Sequence, residues 1–101
     1  MMVSDLSTPT PSVVRRTVTI CNQRGLHARA AARIAKLAEG FSADINVGAN
    51  GLTVSALSIM GLMLLAAGPG TSVEIDATGA AAEEAVAALV VLIETRFDEA
   101  I

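Results

Sequence analysis

The sequence predicts an α+β domain, an antiparallel sheet covered on one face by helices. Three observations carry that expectation. Short β-branched stretches alternate with alanine- and leucine-rich ones in the order strand, helix, strand, strand, short helix, strand, helix. Asn50-Gly51 lies between the second and third strand candidates, the turn chemistry of a tight hairpin. Thr71 to Thr78 sets Val73 and Ile75 against Glu74 and Asp76, which predicts a sheet with one wet face. This order suits helices segregated to one side of an antiparallel sheet.

Residues 1–12 hold Pro9 and Pro11 among several hydroxyl side chains and read as a flexible extension, so the domain is expected at 13–101. Val13 to Cys21 is rich in β-branched residues, with Val18 and Ile20 opposing Thr17 and Thr19, and predicts the first strand. Ala28 to Glu39 predicts a helix that stops at Gly40. Ala31, Ile34, Ala35 and Ala38 would face inward, with Leu37 at the margin. Ala43 to Val47 and Leu52 to Val54 read as two strands joined by Gly48 to Gly51. Ser58 to Leu65 reads as a short helix, broken by Gly68-Pro69-Gly70, with Leu62 and Leu65 as its core residues. Thr71 to Thr78 follows as a strand. Ala80 to about Phe97 is the last helix, with Val86, Leu89, Val90, Ile93 and Phe97 at core spacing. Glu83 and Glu84 sit near its positive end, where acidic groups are favoured.

Composition removes several function classes. The 101 residues are 52% hydrophobic, but 19 are alanine and the apolar run from Leu57 to Ala67 is too short to span a bilayer. Phe41 and Phe97 are the only aromatics, which argues against base stacking. The lone Cys21 precludes an internal disulfide and reads as a small packed hydrophobe in a reducing compartment. No secretory signal is evident, so a cytoplasmic location is expected, with neither membrane nor nucleic acid as a partner. One histidine and one cysteine cannot complete a zinc site, and no metal or cofactor is expected.

Charge is distributed unevenly. The net charge is −3, yet six of the seven basic residues lie between Arg15 and Lys36. Arg29, Arg33 and Lys36 share one helical face. Alone, such a stripe reads as a solvated surface. Next to the only histidine, His27, it becomes a field that attracts phosphate and acidic surfaces.

His27 lies in Asn22-Gln-Arg-Gly-Leu-His-Ala-Arg-Ala-Ala-Ala32. Gly25 allows a tight turn, and the alanines then favour helix. His27 is therefore expected in the first turn, where unpaired amides and the macrodipole bind anions. A ring nitrogen free to act as nucleophile, an anion cradle and Arg29 together suit the acceptance of a phosphoryl group.

Gly25-Leu26-His27-Ala28-Arg29-Ala30 resembles the active-centre signature of the HPr phosphocarriers of bacterial phosphotransferase systems, roughly G-[LI]-H-[AT]-R-[PA]. Many members carry proline where this chain has Ala30. Ser55-Ala-Leu-Ser58-Ile-Met-Gly-Leu-Met63 resembles the family's regulatory-serine segment. The resemblance spans about residues 13–100. It implies a βαββαβα open-faced sandwich, a four-stranded antiparallel sheet with three helices on one face. It further implies a monomeric carrier rather than an enzyme, phosphorylated at Nδ1 of His27 by Enzyme I and discharged to an Enzyme IIA-type acceptor. Arg29 would stabilise the phosphate, with the backbone of Ala28 and Arg29 binding it. Ser58 would be the substrate of an HPr kinase/phosphorylase, and Ile59, Met60, Met63 and Arg33 would dock partners and regulatory targets. A nitrogen-type regulatory branch of the family, signalling to target proteins instead of driving sugar uptake, and a binding module without phosphoryl chemistry remain open alternatives.

Overall fold

The computed structural model describes residues 13–99; the extension expected at 1–12 lies outside them. Seven elements follow in the order β1 (Val14–Thr19), α1 (Ala28–Ala38), β2 (Asp44–Ala49), β3 (Leu52–Ser55), α2 (Ile59–Leu64), β4 (Ser72–Thr78) and α3 (Ala82–Glu94). The strands form one sheet in the order β1-β4-β2-β3, and every neighbouring pair is antiparallel. This is the α+β open-faced sandwich that the order of elements implies, with three helices on one face.

The alternation in β4 decides which face is covered. Val73, Ile75 and Ala77 are buried, while Glu74 is exposed. Ile45, Val47 and Ala49 of β2 continue the same apolar surface. Onto it α1 lays Ala30, Ala31, Ile34, Ala35 and Ala38, four of them alanines that let a helix approach closely. α3 contributes Val86, Leu89 and Ile93, and Leu62 and Leu65 close the core from the α2 end. No helix among the described residues is long and apolar enough to cross a membrane.

Three expectations need correction. β2 runs on through Gly48 and Ala49, because Asn50 (φ 51°) and Gly51 (φ 82°) form the whole turn and Ala49 pairs with Leu52. Two residues with positive φ are the requirement of the tightest hairpin. Cys21 is exposed, its Sγ 3.4 Å from the Ile93 carbonyl oxygen, not packed as a hydrophobe.

The third correction concerns the C-terminus. α3 ends at Glu94, and the Thr95 hydroxyl donates to the carbonyls of Val91 (2.8 Å) and Leu92 (3.1 Å). Arg96, Phe97 and Asp98 then take φ of 58°, 54° and 60°. Three consecutive non-glycine residues in the left-handed region are disfavoured by about 1–2 kcal/mol each. Phe97 is nonetheless fully buried, as its spacing implies, but from a left-handed turn instead of a helix. Burial of so large a side chain is the effect of matching size that holds this turn. Phe97→Ala should therefore lower stability by about 3–5 kcal/mol in urea unfolding; a loss under about 1 kcal/mol would show that the aromatic ring does not hold the turn.

Candidate functional site

The approach to α1 is built from Asn22 to His27. Asn22 is fully buried, and its side-chain amide nitrogen donates to the Gly25 carbonyl at 2.8 Å, while Gly25 N–H donates to the Asn22 carbonyl at 3.2 Å. Gly25 has φ +67°, and a Cβ there would lie 2.7 Å from the Ala67 carbonyl oxygen and 2.8 Å from Gly68 Cα. Only glycine fits both the dihedral and the space. Next to it, Leu26 is buried and its N–H donates to the same Ala67 carbonyl at 2.8 Å. The chain is thus fixed to the α2–β4 loop one residue before His27.

α1 begins at Ala28 as expected, which puts His27 at the residue just before the first turn. It is the N-cap of α1, with extended backbone (φ −82°, ψ 179°). Its Nδ1 accepts the N–H of Arg29 at 3.2 Å. An accepting Nδ1 carries a lone pair, so in the neutral ring the hydrogen-bond pattern assigns the proton to Nε2. Nε2 meets Oε2 of Glu99, and the other oxygen, Oε1, accepts from the Asn22 amide nitrogen at 3.0 Å. Side chains of His27 and Glu99 are 14% and 15% exposed, so the pair is mostly enclosed yet reachable. Asn22 Oδ1 is buried without a partner among the described residues. That is the consequence of turning its nitrogen toward two acceptors, Gly25 O and Glu99 Oε1.

The hydrogen bond with His27 holds the Glu99 carboxyl below its ordinary value, against the opposing effect of burial; the Asn22 bond and the charges of His27 and Arg24 act in the same direction as the first.

The cationic residues are distributed as their spacing implies. Arg29, Arg33 and Lys36 border a groove of about 750 Å³ between α1 and α3, with Leu37, Phe41 and Leu92 among its lining residues. Arg29 is exposed beside the histidine. Arg33 is engaged by the chain itself, its guanidinium donating to the Phe97 carbonyl and lying 3.8 Å from Asp98. Lys36 is 3.9 Å from Glu39 on the open surface.

The second expected site lies on α2. Ser58 is its N-cap, and Oγ accepts the Gly61 N–H at 2.9 Å. A Cβ at Gly61 would be 2.9 Å from that oxygen and 3.0 Å from Val54 Cβ, so glycine leaves room for the cap. Ile59, Met60 and Met63 are exposed, Met60 by 76%, while Leu62 and Leu65 are buried as expected. Leu57 and Leu64 are also exposed and extend the apolar patch. The exposure of those two was not expected from the sequence. The signal was present: a six-residue helix that is apolar all round cannot bury every side.

An N-capping imidazole with one nitrogen aimed at a helix terminus, and cations alongside, defines a site suited to carrying an anionic group. The family model described as the phosphorylation site of the phosphotransferase-system HPr component matches residues 14–95. A phosphocarrier protein HPr of Cupriavidus necator is 45% identical over 87 residues, which cover 86% of this chain and 98% of that protein. A phosphocarrier protein NPr of Escherichia coli K12 is 38% identical over 87 residues, covering 85% and 97%. The crystal structure of an HPr from Thermoanaerobacter tengcongensis superimposes with a TM-score of 0.82 at 43% identity, covering 87% of this chain and 99% of that one. The chain belongs to the HPr family of phosphotransferase-system phosphocarriers.

Because the Glu99 carboxyl is lowered in the folded protein, its contribution is fully present above the unfolded value and lost as pH falls through the folded one. The tail contact should therefore persist at neutral and mildly acidic pH and open on titration below 4.5. A carbon-detected NMR titration of the Glu99 carboxyl reads this directly, and a midpoint above 4.5 would contradict it.

Proposed function

We infer that His27 accepts a phosphoryl group on Nδ1 from Enzyme I and passes it to an Enzyme IIA-type acceptor in the cytoplasm. The observation that supports this is the direction of Nδ1, whose lone pair faces the first amides of α1. Amides of a first helical turn have no carbonyl one turn earlier to bond. When Nδ1 is phosphorylated it no longer accepts from Arg29 N–H, and that amide, with Ala28 N–H, is then available to the phosphate oxygens. The helix dipole and the Arg29 guanidinium act on the same negative charge. Transfer of this kind depends on positioning and charge stabilisation, so a small carrier with little covalent machinery suffices. The chain on this reading turns nothing over alone.

Partner contact is assigned to the exposed Ile59, Met60 and Met63, joined by Leu57 and Leu64, with the exposed Arg29 beside His27 supplying charge; Arg33, named with them from the sequence, is committed to Phe97 and Asp98. Methionine side chains adapt to differently shaped partners, which a carrier meeting both a donor and an acceptor requires. Ser58 is exposed beside this patch and is assigned as a regulatory phosphorylation site for a serine kinase of the family. A phosphate there would keep the helix N-terminus satisfied while placing about two negative charges next to the apolar surface.

A second reading concerns the pathway. Relatives named NPr as well as HPr match most of the chain, among them an NPr of Shewanella violacea at 41% identity. The nitrogen-type branch, in which phosphorylation state signals to target proteins, is accordingly the alternative. Incubating the phosphorylated protein with sugar-type and nitrogen-type acceptors separates the two.

Labelling with Enzyme I and radioactive phosphoenolpyruvate tests the carrier reading. Wild type should take up acid-labile, base-stable phosphate and His27→Ala none, whereas Arg29→Ala should accept at least tenfold more slowly, about 1.4 kcal/mol, with its melting temperature unchanged. Label retained by His27→Ala would overturn the assignment. In the same assay Ser58→Asp should slow acceptance about tenfold or more and Ser58→Ala should not. Equal rates for both would reduce Ser58 to a helix cap.

A further inference from the structure

The carboxylate of Glu99 meets His27 on the nitrogen that the phosphoryl group does not use. Delivering it there requires an unusual backbone. Arg96, Phe97 and Asp98 all take positive φ, and the turn is fixed on both sides, by burial of Phe97 and by Arg33 donating to the Phe97 carbonyl. Strain of this kind persists where the surroundings enforce it, and it clusters at sites with a function. Asn22 then fixes the carboxylate itself. Its amide nitrogen is already committed to Gly25 O, so it can only donate to Glu99, and its bond to Oε1 leaves Oε2 for the imidazole. The remaining charged groups of the site are Arg24 on the preceding loop, Arg29 and Arg33 on α1, and Asp98 beside Arg33. Glu99 is the acidic group that touches the ring.

We propose that Glu99 is a positioning residue for phosphoryl transfer, keeping a proton on Nε2 of His27 so that Nδ1 both attacks and departs as a lone pair. This rests on the carrier reading above and deepens it. On acceptance, the Nδ1 pair forms the N–P bond while the bond from phosphorus to the donor breaks, its electron pair leaving with the donor. The ring becomes cationic, and the adjacent carboxylate balances it. On donation, the N–P bond breaks and its pair returns to Nδ1, so the departing group is a neutral imidazole that still carries its Nε2 proton. No proton enters or leaves in either direction. Had Nε2 lost its proton, the departing group would be an imidazolate, a much poorer leaving group. The arrangement follows the general rule that a carboxylate on one imidazole nitrogen sets the tautomer and raises the basicity of the other.

Two substitutions separate this role from packing. In Glu99→Gln the Asn22 nitrogen still needs an acceptor, so the amide oxygen turns to Asn22 and its NH2 faces Nε2. Two donors then oppose each other at Nε2, and the Nδ1–H form gains population at the expense of the bond from Arg29 N–H. In Glu99→Ala the acceptor is simply lost. Histidine-selective 15N NMR of the unphosphorylated protein reads the ring directly and needs no partner protein. Wild type should show the Nε2–H tautomer with slow exchange of that proton, Glu99→Ala fast exchange, and Glu99→Gln a Nδ1–H population. Acceptance from Enzyme I should fall about tenfold or more in Glu99→Gln, the effect typical of lost supporting bonds to a ligating or reacting histidine, with the melting temperature retained. A wild-type tautomer and rate in Glu99→Gln would overturn the proposal. So would a slow rate accompanied by a lowered melting temperature and an unaltered ring spectrum, which would make Glu99 a packing residue. If wild type took no phosphate at all, the carrier reading would fail, while the ring spectra would still decide what Glu99 does to His27.

Discussion

The approach of Gly25 to the Ala67–Gly68 backbone is the constraint on which the site depends. Cβ at position 25 has no room, and the Leu26 amide closes on the Ala67 carbonyl beside it. This contact joins the start of α1 to the end of the α2 segment, two regions separated by some forty residues of chain. Once Leu26 is buried there, the next residue must leave the core at the head of a helix whose first amides lack carbonyl partners. An imidazole in that position caps the helix through Nδ1 and presents the opposite nitrogen to the C-terminal tail. On the proposed reading, capping and chemistry use the same lone pair. A conventional Ser or Asp cap would satisfy the helix equally well without placing an imidazole there.

The division of the surface follows from the same geometry. Positive charge concentrates on α1, whose exposed face borders His27, while α2 exposes aliphatic and thioether side chains with no charge among them. α2 is six residues long and has one buried residue, so its apolar composition cannot be explained by the core. A short helix with a serine cap and a glycine in its first turn is also held weakly by its own propensity. Its position comes from Leu62 and Leu65 and from the Ser58–Gly61 bond. Modification of Ser58 would act at the one end of α2 that its capping bond fixes.

How much of this was legible in the sequence depends on the range of the interaction. Alternation in β4, the Asn50-Gly51 turn, the alanine face of α1 and the Gly25–Arg29 motif are local patterns, and each appears where its residues imply. Where reading failed, a local pattern was overridden by something distant. Phe97 has the spacing of a helical core residue and is buried, but its backbone is left-handed, held by burial of the ring and by Arg33, which donates to its carbonyl from 64 positions away. Glu99 looks like a solvated acid at a chain end, and nothing within ten residues of it marks a partner. Its partners, His27 and Asn22, lie 72 and 77 positions away. Asn22 belonged to the motif stretch from the start, yet its role requires knowing where the tail returns.

The tail also explains why Arg33 behaves differently from Arg29 although both lie on the same helical face. Arg29 lies two residues after the cap and stays exposed. Arg33 is one turn further on, where its guanidinium reaches the carbonyl of Phe97 and the carboxylate of Asp98. A planar guanidinium can serve both acceptors at once, which lysine's single ammonium does less well. That bond lies on the chain between the buried Phe97 ring and the Glu99 carboxylate, so it transmits the fixation of one to the other. The cationic stripe read from the sequence as one field is thus two devices. One faces outward beside the histidine, and the other acts inward on the strained turn that brings an acid to the back of the ring.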